Sequence, residues 1–206
     1  MAPPLQIAVL VSGAWALGAL ATEVLRSRAR GRPRYFSRPA GDPRRGVLYA
    51  FGPGMSPTAK ESTRENLPAW VAGVAYHLGI FASLALLAVH VAGAGPAGWP
   101  LRVFRAVAAV GALAGAALLA KRLADSRLRR LSVPDDLLAN ILCTGLSALT
   151  SARAPGAPVE PLWLAWGTAL LLYIPLGKIR HCFFFFTTRA FMGAHFGRRG
   201  TFPPPA

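Results

Sequence analysis

Trp70 to Ala92 reads WVAGVAYHLGIFASLALLAVHVA, and no Asp, Glu, Lys or Arg interrupts it. An apolar run of that length can cross a hydrocarbon core as a helix, which takes ~20 residues. The pattern recurs along the chain, with apolar runs over roughly 5–25, 69–93, 103–120, 137–152 and 161–181. The 206 residues are 53% hydrophobic and only 15% charged, with a mean hydropathy of +0.40. That is too little charge to clothe a soluble domain of this length. The fold class expected is therefore an all-α, polytopic membrane bundle of five transmembrane helices.

Charge sets the direction of each span. The first leads into a basic loop, 26–66, holding Arg26, Arg28, Arg30, Arg32, Arg34, Arg38, Arg44, Arg45, Lys60 and Arg64. The second ends in the uncharged GAGPAGWP, the third in KRLADSRLRR, the fourth in RAPGAPVEP with one Arg and one Glu. The fifth ends in Lys178 and Arg180, with Arg189, Arg198 and Arg199 beyond. Basic loops stay in the cytoplasm, which places the N-terminus out and the C-terminus in. One transmembrane domain over 1–199 is expected, with 26–66 as its cytoplasmic loop and 200–206 as a flexible tail. The setting expected is a bacterial-type cytoplasmic (inner) membrane. Ala19-Leu20-Ala21 resembles a signal-peptidase site, but no basic segment precedes the run and RSRARGRPR follows it, so an uncleaved anchor is expected. The formal charge of +15 would otherwise point to nucleic acid; confined to loops between apolar spans, it points to the positive-inside pattern and to no nucleic-acid partner.

Polar residues inside the spans narrow the chemistry. Asn140, Thr144 and Ser147 predict that span four packs within the bundle, and Gly111 and Gly115 form a small-xxx-small pair suited to close helix contact. The Pro- and Gly-rich 33–66 has neither phosphate-loop nor dinucleotide-binding spacing and reads as an ordered loop. Cys143 and Cys182 form no Cys-x-x-Cys pair, which excludes c-type haem attachment and an iron–sulfur ligand set within this chain.

Four histidines remain: His77, His90, His181 and His195. Ionisable groups within a membrane are costly and tend to be functional, and imidazole is a common haem ligand. With span two running outward and span five inward, His77 and His181 fall at similar depth near the cytoplasm and can share one iron. Lys178 and Arg180 then stand where propionates would be, and the Phe183–Phe186 run supplies an apolar wall. His90 lies ~20 Å further along its helix, near the outer level of Trp163 and Trp166, where no second histidine stands. That level is a candidate quinone site. A rival pairing, His77 with His195 and His90 with His181, would hold two haems, but at the cost of cations in or near the bilayer.

YHLGIF in span two, LLAKRLADSRLRRLSVPDDLLANILCTGLSALT across spans three and four, and LLLYIPLGKIRH in span five resemble the respiratory nitrate reductase gamma subunit. The ending FFFFTTRAFMGAHFGRRG is similar to membrane cytochromes of heterodisulfide-reductase-like and sulfite-reduction-associated complexes, a branch of the same superfamily. The resemblance implies a b-type cytochrome relaying electrons between membrane quinone and a cytoplasmic iron–sulfur subunit. It places His77 and His181 as ligands of the haem nearer the cytoplasm. It places the second haem's ligands at Leu87 and Trp163, neither of which can serve, so one haem b is expected unless His90 is displaced into register. The competing classes are a non-redox membrane anchor for a peripheral complex and a small transporter; the latter is disfavoured because the sequence shows no inverted repeat or broken-helix pair.

Overall fold

The computed structural model describes residues 3–31, 35–59, 61–154 and 157–204. Arg32, Arg34 and Lys60 of the expected loop and the last two residues of the expected tail lie outside them. The described residues form helices and turns with no strand: α1 (Pro3–Ala29), α2 (Pro43–Phe51), α3 (Glu61–Glu65), α4 (Leu67–Val91), α5 (Gly98–Ala124), α6 (Ser126–Leu131), α7 (Pro134–Ala152), α8 (Glu160–Tyr173) and α9 (His181–Arg198). Three of these, α1, α4 and α5, are long and apolar enough to cross a membrane. α7 carries Asp135 and Asp136 in its first turn. The 14 residues of α8 span only ~21 Å against a ~30 Å hydrocarbon core. The chain divides into two compact units, Met1–Ala19 with Pro68–Ile179 and Leu20–Leu67 with Arg180–Ala206.

In the first unit, glycine lets helices touch. A Cβ on Gly79 would lie 2.5 Å from Gly111 Cα, so α4 and α5 meet backbone to backbone. Tyr76 and Thr144 occupy the space beside Gly115. Thr144 Oγ1 donates to Tyr76 Oη at 3.1 Å, Tyr76 Oη donates to the Asn140 carbonyl at 3.0 Å, and Asn140 Nδ2 donates to the Gly115 carbonyl at 3.3 Å. This neutral network joins α4, α5 and α7, as the polar residues of span four lead one to expect, and small residues with hydroxyl bonds are the usual means of joining helices in lipid. Leu146, Ser147 and Thr150 of α7 are fully buried.

The run 161–181 is not a single helix, and a broken-helix pair stands where none is expected from the sequence: α8 stops at Tyr173, and His181 opens α9. Pro175 offers no N–H to the preceding turn and its ring clashes there, so Leu176 and Gly177 turn back to bond the Tyr173 carbonyl at 2.9 and 3.0 Å. The turn is pinned to the start of α7. Tyr173 Oη donates to the Asp135 carboxylate, Lys178 N donates to Asp135 Oδ2 at 3.0 Å, and Lys178 Nζ pairs with Asp136 Oδ1 at 2.7 Å.

In the second unit the expected ordered loop, 33–66, is partly helical: its described residues hold two helices, α2 and α3, and two 3-10 turns. Asp42 caps α2 by accepting from Arg44 N at 2.8 Å, and Pro43 fits the first turn, where no N–H is needed. α2 lies against α9 through Gly46, Gly193 and Gly197; a Cβ on Gly46 would be 2.1 Å from the Gly193 carbonyl oxygen. Arginines close the ends. Arg189 Nη2 donates to the Gly54 carbonyl at 2.9 Å, and Arg198 Nη2 to the Ser37 carbonyl at 2.7 Å. Phe202 of the expected tail rests on Tyr49 and Phe196, with ring centroids 5.0 and 5.1 Å away.

Candidate functional site

The most developed polar cluster lies in the first unit, where the last turn of α4, the end of α7 and the first turns of α8 meet. Trp163 is fully buried, and its indole N–H donates to Thr150 Oγ1 at 2.8 Å. The Arg153 guanidinium lies over the Trp163 ring at 4.2 Å and donates from Nη2 to Glu160 Oε2 at 3.2 Å. The same nitrogen is 3.3 Å from His90 Nδ1. A guanidinium can only donate, so Nδ1 accepts and the His90 proton sits on Nε2. That atom is 3.3 Å from Glu160 Oε1 but off the hydrogen-bond axis, leaving a buried donor without a hydrogen-bonded acceptor. The His90 ring meets Trp163 edge to face at 5.3 Å. A buried N–H in this state, beside a half-exposed carboxylate, can donate to a ligand carbonyl or pass its proton to Glu160.

Of the residues singled out from the sequence, His90 and Trp163 thus come together. Trp166 takes a separate partner, donating to the Leu142 carbonyl at 2.8 Å and packing on Gly145. Arg153 and Glu160 join His90 and Trp163. Their only sequence signal is one cation and one anion flanking a short, otherwise neutral loop.

His77 stands on an exposed face of α4 with its ring near Tyr76 and Phe81. Its Nδ1 is 2.7 Å from the Gly73 carbonyl, which can only accept, so Nδ1 carries the proton and the lone pair is on Nε2. That is the tautomer and carbonyl brace of a metal-ligating imidazole, and it fits a haem ligand. His181 is the exposed first residue of α9, in the second unit, preceded by Arg180 at the cap. Lys178 is engaged with Asp136, whose carboxyl is held below the usual carboxylate range by that ammonium and by the Val133 amide. His195 sits among the rings of Tyr35, Phe191 and Phe196 in the second unit. Comparison of the chain with protein-family models, with curated proteins and with solved structures found no match.

Proposed function

We propose that this chain is the membrane subunit of an oxidoreductase complex, a b-type cytochrome that passes electrons between membrane quinone and a cytoplasmic iron–sulfur partner. In this reading it crosses a bacterial-type cytoplasmic membrane five times, N-terminus out and C-terminus in. His77 and His181 hold one haem b, which supplies one-electron transfer when bound. Arg180, with Lys178 in its pair with Asp136, provides the cations for the propionates. The observation that carries the reading is the Gly73 carbonyl on His77 Nδ1, which fixes the tautomer of a metal-ligating imidazole.

The outer site is read as the quinone site. Quinone reduction needs a proton donor within hydrogen-bond reach, and the His90 N–H is a buried donor that Arg153 and Glu160 orient. Glu160 carries the proton between that imidazole and water, and Trp163 forms the apolar wall. A dithionite-reduced minus oxidised spectrum of the purified chain tests the reading; a low-spin b-type band is expected, and its absence after expression with ample haem would contradict it.

A second reading, a non-redox anchor for a peripheral complex, is favoured by one observation. The second unit holds fourteen of the 23 Lys and Arg residues but four of the eight Asp and Glu, a formal charge of +10 that would attract an acidic partner. The same spectrum separates the two, because an anchor has no haem band.

A further inference from the structure

Within the second unit, Tyr35, Ser37, Arg38, His195, Arg198 and Arg199 line a cavity of about 370 Å³ together with Ala40. Three arginines and a histidine therefore border one small cavity. Among the described residues no Asp or Glu lines it, and none of the three arginines is in an ion pair. Asp42, two residues beyond Ala40 in sequence, is occupied in capping α2 through Arg44 N.

Arg198 is the organised member. Its Nη2 donates to the Ser37 carbonyl at 2.7 Å, and its guanidinium lies 4.7 Å from the centre of the Tyr35 ring. Those contacts hold the fork in one plane. Its Nε is buried and has no acceptor. A buried N–H left without a partner is destabilising, the more so on a charged group, and so is gathering three like charges without a counter-ion. The Ser37 carbonyl and the Tyr35 face each take up part of one guanidinium and leave the net charge uncompensated. The Ala40 and Gly41 amides do not serve the cavity, since both donate to the Arg198 carbonyl at 2.9 and 3.0 Å.

We infer that this cavity binds a phosphate group, presented by an anionic phospholipid headgroup or as a free phosphate. Arginine forks match phosphate oxygens in geometry and charge. A tetrahedral oxyanion can accept from Arg198 Nε while bridging Arg38 and Arg199, with the His195 imidazole and the Tyr35 and Ser37 hydroxyls as further donors. Basic pockets on the cytoplasmic side of membrane proteins bind lipid headgroups by these contacts. The inference is independent of whether the chain holds haem.

The test uses the full chain in nanodiscs of neutral phosphatidylcholine. One arm titrates inorganic phosphate and pyrophosphate by calorimetry. The other supplies phosphatidylglycerol and counts retained lipids by native mass spectrometry. The Arg38 and Arg199 side chains are exposed and make no hydrogen bond or ion pair among the described residues, so an Arg38→Gln/Arg199→Gln double variant should melt like the parent and bind the active probe at least tenfold more weakly. Arg198→Lys, which keeps the charge and loses the fork, should also weaken binding. Retention of phosphatidylglycerol without phosphate binding assigns the site to a headgroup, and phosphate binding in lipid-neutral discs assigns it to a free ligand. The inference is overturned if neither probe binds, if the double variant binds as tightly as the parent, or if only an acidic peptide binds, which would mark a carboxylate-docking surface.

Discussion

The two units use the same contact in different chemical company. In the first, Gly79 and Gly111 bring α4 and α5 together, and the polar groups nearby are neutral: Tyr76, Thr144, Asn140, Ser83 and Ser147 bond one another or a carbonyl. In the second, Gly46, Gly193 and Gly197 bring α2 and α9 together, and arginine closes the exposed backbone. Neutral hydroxyls suit helices surrounded by lipid, where a cation costs several kcal/mol. Guanidiniums suit a basic unit whose polar groups face water. The first unit concentrates its charges at the helix ends; the second carries most of the formal charge of the chain.

The glycine contact is where that comparison breaks most readily. Gly46→Leu puts a side chain into the Gly193 carbonyl, and backbone cannot yield as a flexible side chain can. Separation of α2 from α9 is expected, at about 3 kcal/mol or more, seen as protease sensitivity of 35–59 while the first unit stays resistant. Equal resistance in parent and variant would mean the contact is not tight.

Glu160→Gln should come next, because it leaves the Arg153 cation facing Trp163 and His90 without its carboxylate. A loss of about 2 kcal/mol in thermal stability is expected, as for a partly buried pair with one member removed, and quinol-dependent reduction should slow as well. A variant with unchanged stability and kinetics would reduce the cluster to surface decoration. Smaller still, Thr144→Val removes the hydroxyl shared by Tyr76 and Asn140; about 1 kcal/mol is expected, in the range of hydrogen bonds between membrane helices. A denaturation series in mixed micelles reads it.

The least costly change is the Lys178–Asp136 pair, which is half-exposed and therefore screened. Because the Asp136 carboxyl is held below its ordinary value, its contribution is present above the unfolded carboxylate range, near pH 4, and lost as pH falls through the lower folded value. The parent should lose melting temperature between pH 5 and pH 3 more steeply than Lys178→Met. Parallel curves would remove the pair from the account.

Much of the first unit was legible because hydropathy and small-residue spacing are local. All but the last residue of the Trp70–Ala92 run lies within α4, and the Gly111/Gly115 pair lies in α5 where neighbouring helices approach. The break after Tyr173 had a local sign in Pro175 and Gly177, but an apolar window runs through a proline without registering it. α2 was similarly signposted by Asp42-Pro43, a cap followed by a first-turn proline, inside a stretch whose glycines and prolines read as loop. The rest required partners distant in sequence. Gly46 meets Gly193 and Gly197 across more than a hundred residues, and the Arg153–Glu160 pair acquires meaning only when the end of α4 brings His90 to it. Such pairings leave no period in the chain for a reader to find.

Haem stoichiometry in the parent and in the His77→Ala and His181→Ala variants, read by pyridine haemochrome on purified protein, decides whether the chain is a cytochrome. One haem b per chain is expected in the parent, with a low-spin spectrum, and loss of the haem in each variant. A parent with none, or two variants that keep full content and a low-spin spectrum, would contradict it.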